Sequence, residues 1–122
     1  MLLQTDEDYL NAKAYKWKCL PSGSMGYLVI EEFEISARFN HRVVTLMIQI
    51  PQGYNQTKLD MFYLDPAVSY VNGQAPPATC MENHINRSWQ RFSRHLPEGA
   101  WRAGLDGVES FLKFAREELC AA

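Results

Sequence analysis

The sequence predicts one α+β domain. Three observations carry that expectation: a strand-like alternation over residues 43–50, an apolar stripe at helical spacing over residues 105–119, and a composition able to build a core. Of the 122 residues, 47% are hydrophobic and 21% charged, close to the ordinary balance of a folded domain. This length sits near the commonest size for one domain and leaves no room for a second. Residues 1–122 are therefore read as a single unit.

The elements follow in chain order. Residues 6–18 are mixed in character and predict a short helix, with Tyr9, Leu10 and Tyr15 or Trp17 packing inward. Pro21, Gly23 and Gly26 punctuate a loop, as these residues break regular structure. Residues 27–37 read as a strand. Val29, Phe33 and Ile35 share one face with Glu31 interrupting, while Glu32 and Glu34 point the other way, on the period of two that a pleat imposes. The next strand is clearer: Val44, Leu46, Ile48 and Ile50 alternate with Val43, Thr45, Met47 and Gln49, and its β-branched content strengthens the assignment. Phe39-Asn40-His41 offers a turn that would make the two runs an antiparallel hairpin. Pro51 ends the second run, because proline cannot donate to a sheet ladder. Residues 59–64 give a further short strand, stopped by Asp65-Pro66. Residues 67–77, with Asn72-Gly73 and Pro76-Pro77, read as a long loop, and such loops in compact domains often serve function.

Over residues 79–92, Met81, Ile85, Trp89 and Phe92 recur at helical spacing, and Thr79 with Glu82 matches a capping box, which predicts a short helix or helical turn. Asn83, Asn86 and Ser88 are indifferent helix formers and weigh against it. The last element is the firmest. Leu105, Val108, Phe111, Leu112, Ala115 and Leu119 form an apolar stripe, Asp106 is placed to cap it with Glu109 three residues on, and Glu109, Lys113 and Glu117 alternate in charge on the wet face.

The net charge of −2 argues against a dedicated nucleic-acid binder, which carries a basic excess. No run approaches the roughly 20 apolar residues of a membrane span, and the first residues lack the basic start and apolar core of a signal peptide. Cys19, Cys80 and Cys120 are odd in number and scattered, so reduced thiols in a cytoplasmic setting fit better than a disulfide framework or a zinc site. P-loop, dinucleotide, HExxH and GxSxG patterns are all missing.

Chemistry therefore concentrates in residues 80–101. Ser93-Arg94-His95 places a hydroxyl two residues from an imidazole. If the tripeptide is extended, both side chains fall on one face, and a base is what a serine needs to attack at neutral pH. Cys80 with His84 is the rival: a thiol at the start of a short helix, near a histidine, would be activated. Arg87, Arg91 and Arg94 would share one helical face able to grip a phosphate or an acidic tail. Each group also has a bland reading, as loop, buried thiol or solvated surface.

The order of segments resembles a known family. A hairpin leads to Ile50-Pro51-Gln52-Gly53-Tyr54, then Asp60-Met61-Phe62-Tyr63-Leu64-Asp65-Pro66, a long loop, Trp89-Gln90-Arg91-Phe92-Ser93-Arg94-His95, Trp101 and a helix. It is similar, over residues 27–119, to prokaryotic conjugating-enzyme family E, a bacterial branch of the ubiquitin-conjugating-enzyme superfamily. The resemblance implies an antiparallel four-stranded meander flanked by helices. It implies an acyltransferase that takes the activated C-terminus of a ubiquitin-like modifier protein from an adenylating activating enzyme and passes it to an amine. A metalloprotease-type isopeptidase would belong to the same pathway, and no metal or cofactor would be held by this chain. Eukaryotic members carry a His-Pro-Asn motif and then a catalytic cysteine, eight residues before a tryptophan. Here that position is Ser93, so the carrier becomes an oxyester on Ser93, with His95 as base, Arg94 or a backbone amide steadying the oxyanion, and Trp101 as a wall. Cys80 with His84 stays the alternative nucleophile, and Asn72 or Asn86 the candidates for the missing asparagine. A catalytically silent adaptor that binds a modifier or its activating enzyme noncovalently is the alternative function, because fold does not fix function.

Overall fold

The computed structural model describes residues 2–120. Two helices and six strands follow in the order α1 (Gln4–Ala12), β1 (Lys16–Ser22), β2 (Met25–Glu34), β3 (Val43–Ile50), β4 (Phe62–Asp65), β5 (Thr79–His84), β6 (Arg87–Phe92) and α2 (Val108–Cys120). All strand pairs are antiparallel, in the order β1-β2-β3-β4-β6-β5. The fold is thus α+β, with six strands in place of the expected four. Among the described residues no helix is long and apolar enough to cross a membrane.

β1 in part, and β5 and β6 entirely, come from segments read as helix. α1 ends at Ala12, and Ala14 takes a positive φ of 58° that turns the chain into β1. Residues 79–92 form a hairpin, not a helix, closed by Ile85 and Asn86 at φ of 50° and 58°. Two successive left-handed residues make the tight turn whose twist suits antiparallel strands. Thr79 consequently caps nothing; its hydroxyl donates to Pro76 O at 2.9 Å.

A bulge corrects the reading of β2. The register with β3 shifts between Ile30 and Phe33, and Glu32 sits at φ 54°. One extra residue inverts the alternation. Leu28 and Ile30 therefore share the core with Phe33 and Ile35, whereas Val29 faces the opposite side with Met47, Tyr63 and Trp89.

The main core lies between the sheet and both helices. Leu10 of α1 meets Leu46, Ile48, Phe62 and Phe92 of the sheet and Val108, Phe111, Leu112, Ala115 and Leu119 of α2. Leu105 lies outside the expected stripe, 75% exposed before the helix begins. Asp106 does not cap α2 with its side chain. Its carboxylate accepts from Arg102 N at 2.6 Å and pairs with the Arg102 guanidinium at 2.9 Å, contacts that hold it below the usual carboxylate range. The first helical amide, Val108 N, donates instead to Asp6 Oδ1 of α1 at 3.1 Å.

Candidate functional site

The region singled out by sequence is the exit of β6. Phe92, the last strand residue, is buried and stacks on Phe62 with ring centroids 5.2 Å apart. Ser93 follows it half-buried, and its N–H donates to Ala78 O at 3.0 Å. Residues 93–95 are not helical, as the serine–imidazole pairing requires. Among the described residues, however, Ser93 and His95 make no direct hydrogen bond.

His95 is held by a residue that sequence reasoning missed. Its Nδ1 lies 2.6 Å from Oδ1 of Asp60, and both side chains are part-exposed. Asp60 sits just before β4, and β4 pairs with β6 through Phe62 and Phe92. The sheet register therefore brings Asp60 alongside the β6 exit although 35 residues separate it from His95. A carboxylate bound to Nδ1 fixes the tautomer and leaves Nε2 free for another partner, the arrangement that orients a general base.

Arg94 is used locally. Its Nη1 donates to Pro77 O at 2.8 Å, its Nε faces Glu118 of α2 at 3.5 Å, and its guanidinium lies 5.3 Å from the Phe92 ring centroid. It ties the β6 exit to the preceding loop and to α2. Trp101 Nε1 donates to Asn55 O at 3.0 Å and its ring leans on Tyr54. Those contacts join residues 51–56 to the segment that leads from Ser93 to α2.

The remaining candidates are dispersed. Cys80 is exposed on β5, and His84 stands four residues along the same strand, about 13 Å away at strand rise, where a helix would have set them one turn apart. His84 is engaged with Glu82 through Nε2 at 2.9 Å and lies between the Tyr27 and Tyr63 rings. Asn86 occupies the hairpin turn, six strand residues from Ser93. Asn72 bonds to Gln74 at an exposed loop tip. Neither supplies an amide beside Ser93. The arginine face dissolves likewise: Arg87 pairs with Asp65, Arg91 with Glu82 and Arg94 with Glu118. Burial pushes the thiols of Cys19 and Cys120 up, which disfavours the nucleophilic form of both. A groove of about 940 Å³ runs between α1 and α2 and is lined by neither Ser93 nor His95.

A family model described as prokaryotic E2 family E matches residues 2–122. Comparison with curated proteins finds no match, and comparison with solved structures finds none either.

Proposed function

The chain belongs to prokaryotic E2 family E, and we propose that it is a ubiquitin-like-protein conjugating enzyme whose acyl carrier is the Ser93 hydroxyl. The observation that carries this reading is the setting of Ser93. It leaves β6 eight residues before Trp101, and two residues before an imidazole fixed by Asp60 at 2.6 Å. The sheet-and-helix architecture agrees with a ubiquitin-conjugating-enzyme fold in which the meander β1–β4 is extended at the β4 edge by the β5–β6 hairpin.

The modifier arrives as an activated ester on the activating enzyme. Ser93 Oγ attacks the carbonyl carbon and gives its proton to His95 Nε2. The new C–O bond forms as the bond to the activating enzyme breaks, and the departing group leaves with that proton. An amine then attacks the Ser93 ester; the C–N bond forms, the C–O bond breaks, and His95 relays the amine proton back to Ser93. An oxyester is less reactive than a thioester, so this chemistry needs a base and support for the oxyanion. Asp60 orients the base, and Arg94 anchors the loop while lending it positive charge. Contacts of this kind tighten when substrate closes over the site, which is when His95 reaches Ser93. ATP is consumed by the activating enzyme, and the setting is the bacterial cytoplasm.

The test is intact-mass analysis of the protein incubated with modifier, activating enzyme and ATP. The expected result is an adduct that survives thiol reductant, is cleaved by hydroxide, and is lost in Ser93→Ala. An adduct lost to reductant would move the carrier to Cys80. A second reading, a silent adaptor, draws on the missing Ser93–His95 hydrogen bond; it predicts no adduct, with partner binding and pathway output intact in Ser93→Ala.

A further inference from the structure

The two edges of the sheet are built differently. β1 carries Lys16, Lys18 and Pro21, which blunt an edge by charge and by a missing N–H. β5 has neither lysine nor proline along Thr79–His84. It is the terminal strand, paired only with β6 on its inner side, and Met81 in its middle is 55% exposed.

In an antiparallel ladder, facing residues alternate between pairs that exchange both hydrogen bonds and pairs that exchange none. The bond from Ser93 N to Ala78 O sets the phase. With Thr79 opposite Phe92 and Cys80 opposite Arg91, Cys80, Glu82 and His84 bond to β6. Thr79, Met81 and Asn83 therefore turn their N–H and C=O groups outward. The two-residue turn after His84 closes the ladder in the same phase. The outward row offers three donors and three acceptors at strand spacing, and its Thr79 end abuts Ser93.

We propose that β5 is the docking edge for the extended C-terminal tail of the modifier, which adds to the sheet as a strand antiparallel to β5. This rests on Ser93 as the acyl carrier, because the acyl carbon must finish at the Thr79 end. Main-chain pairing of this kind supplies affinity with little demand on sequence. An added strand lies about 10 Å from β6, a gap that the last three residues of a tail span at about 3.3 Å each. A second copy of this chain is the competing occupant. It would leave Ser93 unserved.

The experiment follows amide exchange by NMR in the whole protein. The probe is an octapeptide of alternating threonine and valine with a C-terminal glycine bearing a nitroxide. The expected result is exchange slowed about tenfold or more at Thr79, Met81 and Asn83 under saturating peptide, with paramagnetic broadening centred on Ala78 and Ser93. Met81→Pro removes an outward N–H without touching the ladder to β6, and should abolish the protection. Peptide N-methylated at every residue should give none, which keeps the test valid if that variant misfolds. Unchanged exchange at the three amides overturns the proposal. So does protection that rises with protein concentration alone, which assigns the edge to a second copy, or broadening centred on the Ile85-Asn86 turn, which reverses the direction. An adduct on Ser93 with an unprotected edge removes the edge and keeps the carrier; a protected edge with no adduct removes the carrier.

Discussion

Asp6 is 4% exposed and accepts three hydrogen bonds, from Leu3 N at 2.9 Å, Tyr54 Oη at 2.8 Å and Val108 N at 3.1 Å. One carboxylate thus serves the N-termini of α1 and α2 together, where both helix dipoles favour negative charge. The Tyr54 hydroxyl, pushed well up by burial and by this carboxylate, stays a donor. Gly107 leaves the space: a Cβ there would stand 2.7 Å from Asp6 Oδ1 and 3.0 Å from Tyr54 Oη. Gly107→Ala should therefore lower stability by about 1–3 kcal/mol in urea unfolding, the usual cost of forcing an atom into a packed site. Asp60 does for His95 what Asp6 does for α2, holding a group whose own sequence neighbours cannot. Asp60→Asn keeps the shape and loses the charge. Under the proposed function, charging of Ser93 should slow at least about tenfold in maximal rate, with half-saturating modifier concentration unchanged. Asp60→Glu should recover part of the loss, and an unchanged rate in Asp60→Asn would leave Asp60 a surface residue. Neither carboxylate was legible in the sequence as a partner, because the groups they bind are 102 and 35 residues away. The pairing of Ser93 with His95 could be raised from sequence because the two are near neighbours in the chain, but among the described residues they make no direct hydrogen bond.

The hairpin of β5 and β6 shows why elements differed in legibility. α2 is buried along one face, and β3 sends Val44, Leu46, Ile48 and Ile50 into the main core with Met47 as its one buried residue on the opposite face, so their periods of three to four and of two stand out in the residues. β6 lies between β4 and β5 and buries Trp89 on one face and Gln90 and Phe92 on the other, so its apolar positions follow no strand period. The spacing of Met81, Ile85, Trp89 and Phe92 imitated a helix by coincidence: Met81 is exposed, Ile85 sits in the turn, and the two aromatic rings point to opposite faces. The bulge in β2 hid a face in the same way, through one inserted residue. Gln90 gives this hairpin a second task. Its side-chain amide accepts from Val68 N at 2.7 Å and donates to Val68 O at 3.0 Å, which clamps the loop between β4 and β5. Gln90→Leu keeps the bulk and strands two buried backbone groups. It should cost about 1–3 kcal/mol, and amide exchange should quicken around Val68 before it changes in β3. Uniform loss of protection would mean that the loop has no independent opening.

The two faces of the whole sheet are covered by different means, and this sets the response of the molecule to pH. Helices cover one face. On the other, Val29, Met47, Tyr63 and Trp89 are at most 2% exposed beneath side chains of the strands themselves. The Arg87 guanidinium lies 4.5 Å above Trp89 while pairing with Asp65 at 2.6 Å. Glu82 binds Arg91, His84 at 2.9 Å and the Tyr63 hydroxyl at 3.3 Å. The hydrogen bond from His84, then Arg91 and Tyr63, hold the Glu82 carboxyl below its ordinary 4.5. Burial and Glu82 push the Tyr63 phenol up to about 12 from 10. The signs are opposite. A depressed carboxyl contributes its full share of stability above its unfolded value and loses it as pH falls through the folded one. Glu82 and Asp106 therefore shape the acid limb, below ordinary values of 4.5 and 3.8. A raised phenol contributes fully below its unfolded value and loses that share as pH climbs, so Tyr63 shapes the alkaline limb between 10 and about 12. Tyr63→Phe separates the hydrogen bonds from the titration. At neutral pH the variant should be less stable by about 1 kcal/mol, having lost its bonds to Gln49 and Glu82. Between pH 10 and 12 its stability should decline less steeply than that of the parent, because only Tyr9 and Tyr54 of the three raised phenols remain. Urea midpoints across that interval measure the difference, and parallel curves would mean that the seal over this face does not depend on the Tyr63 proton.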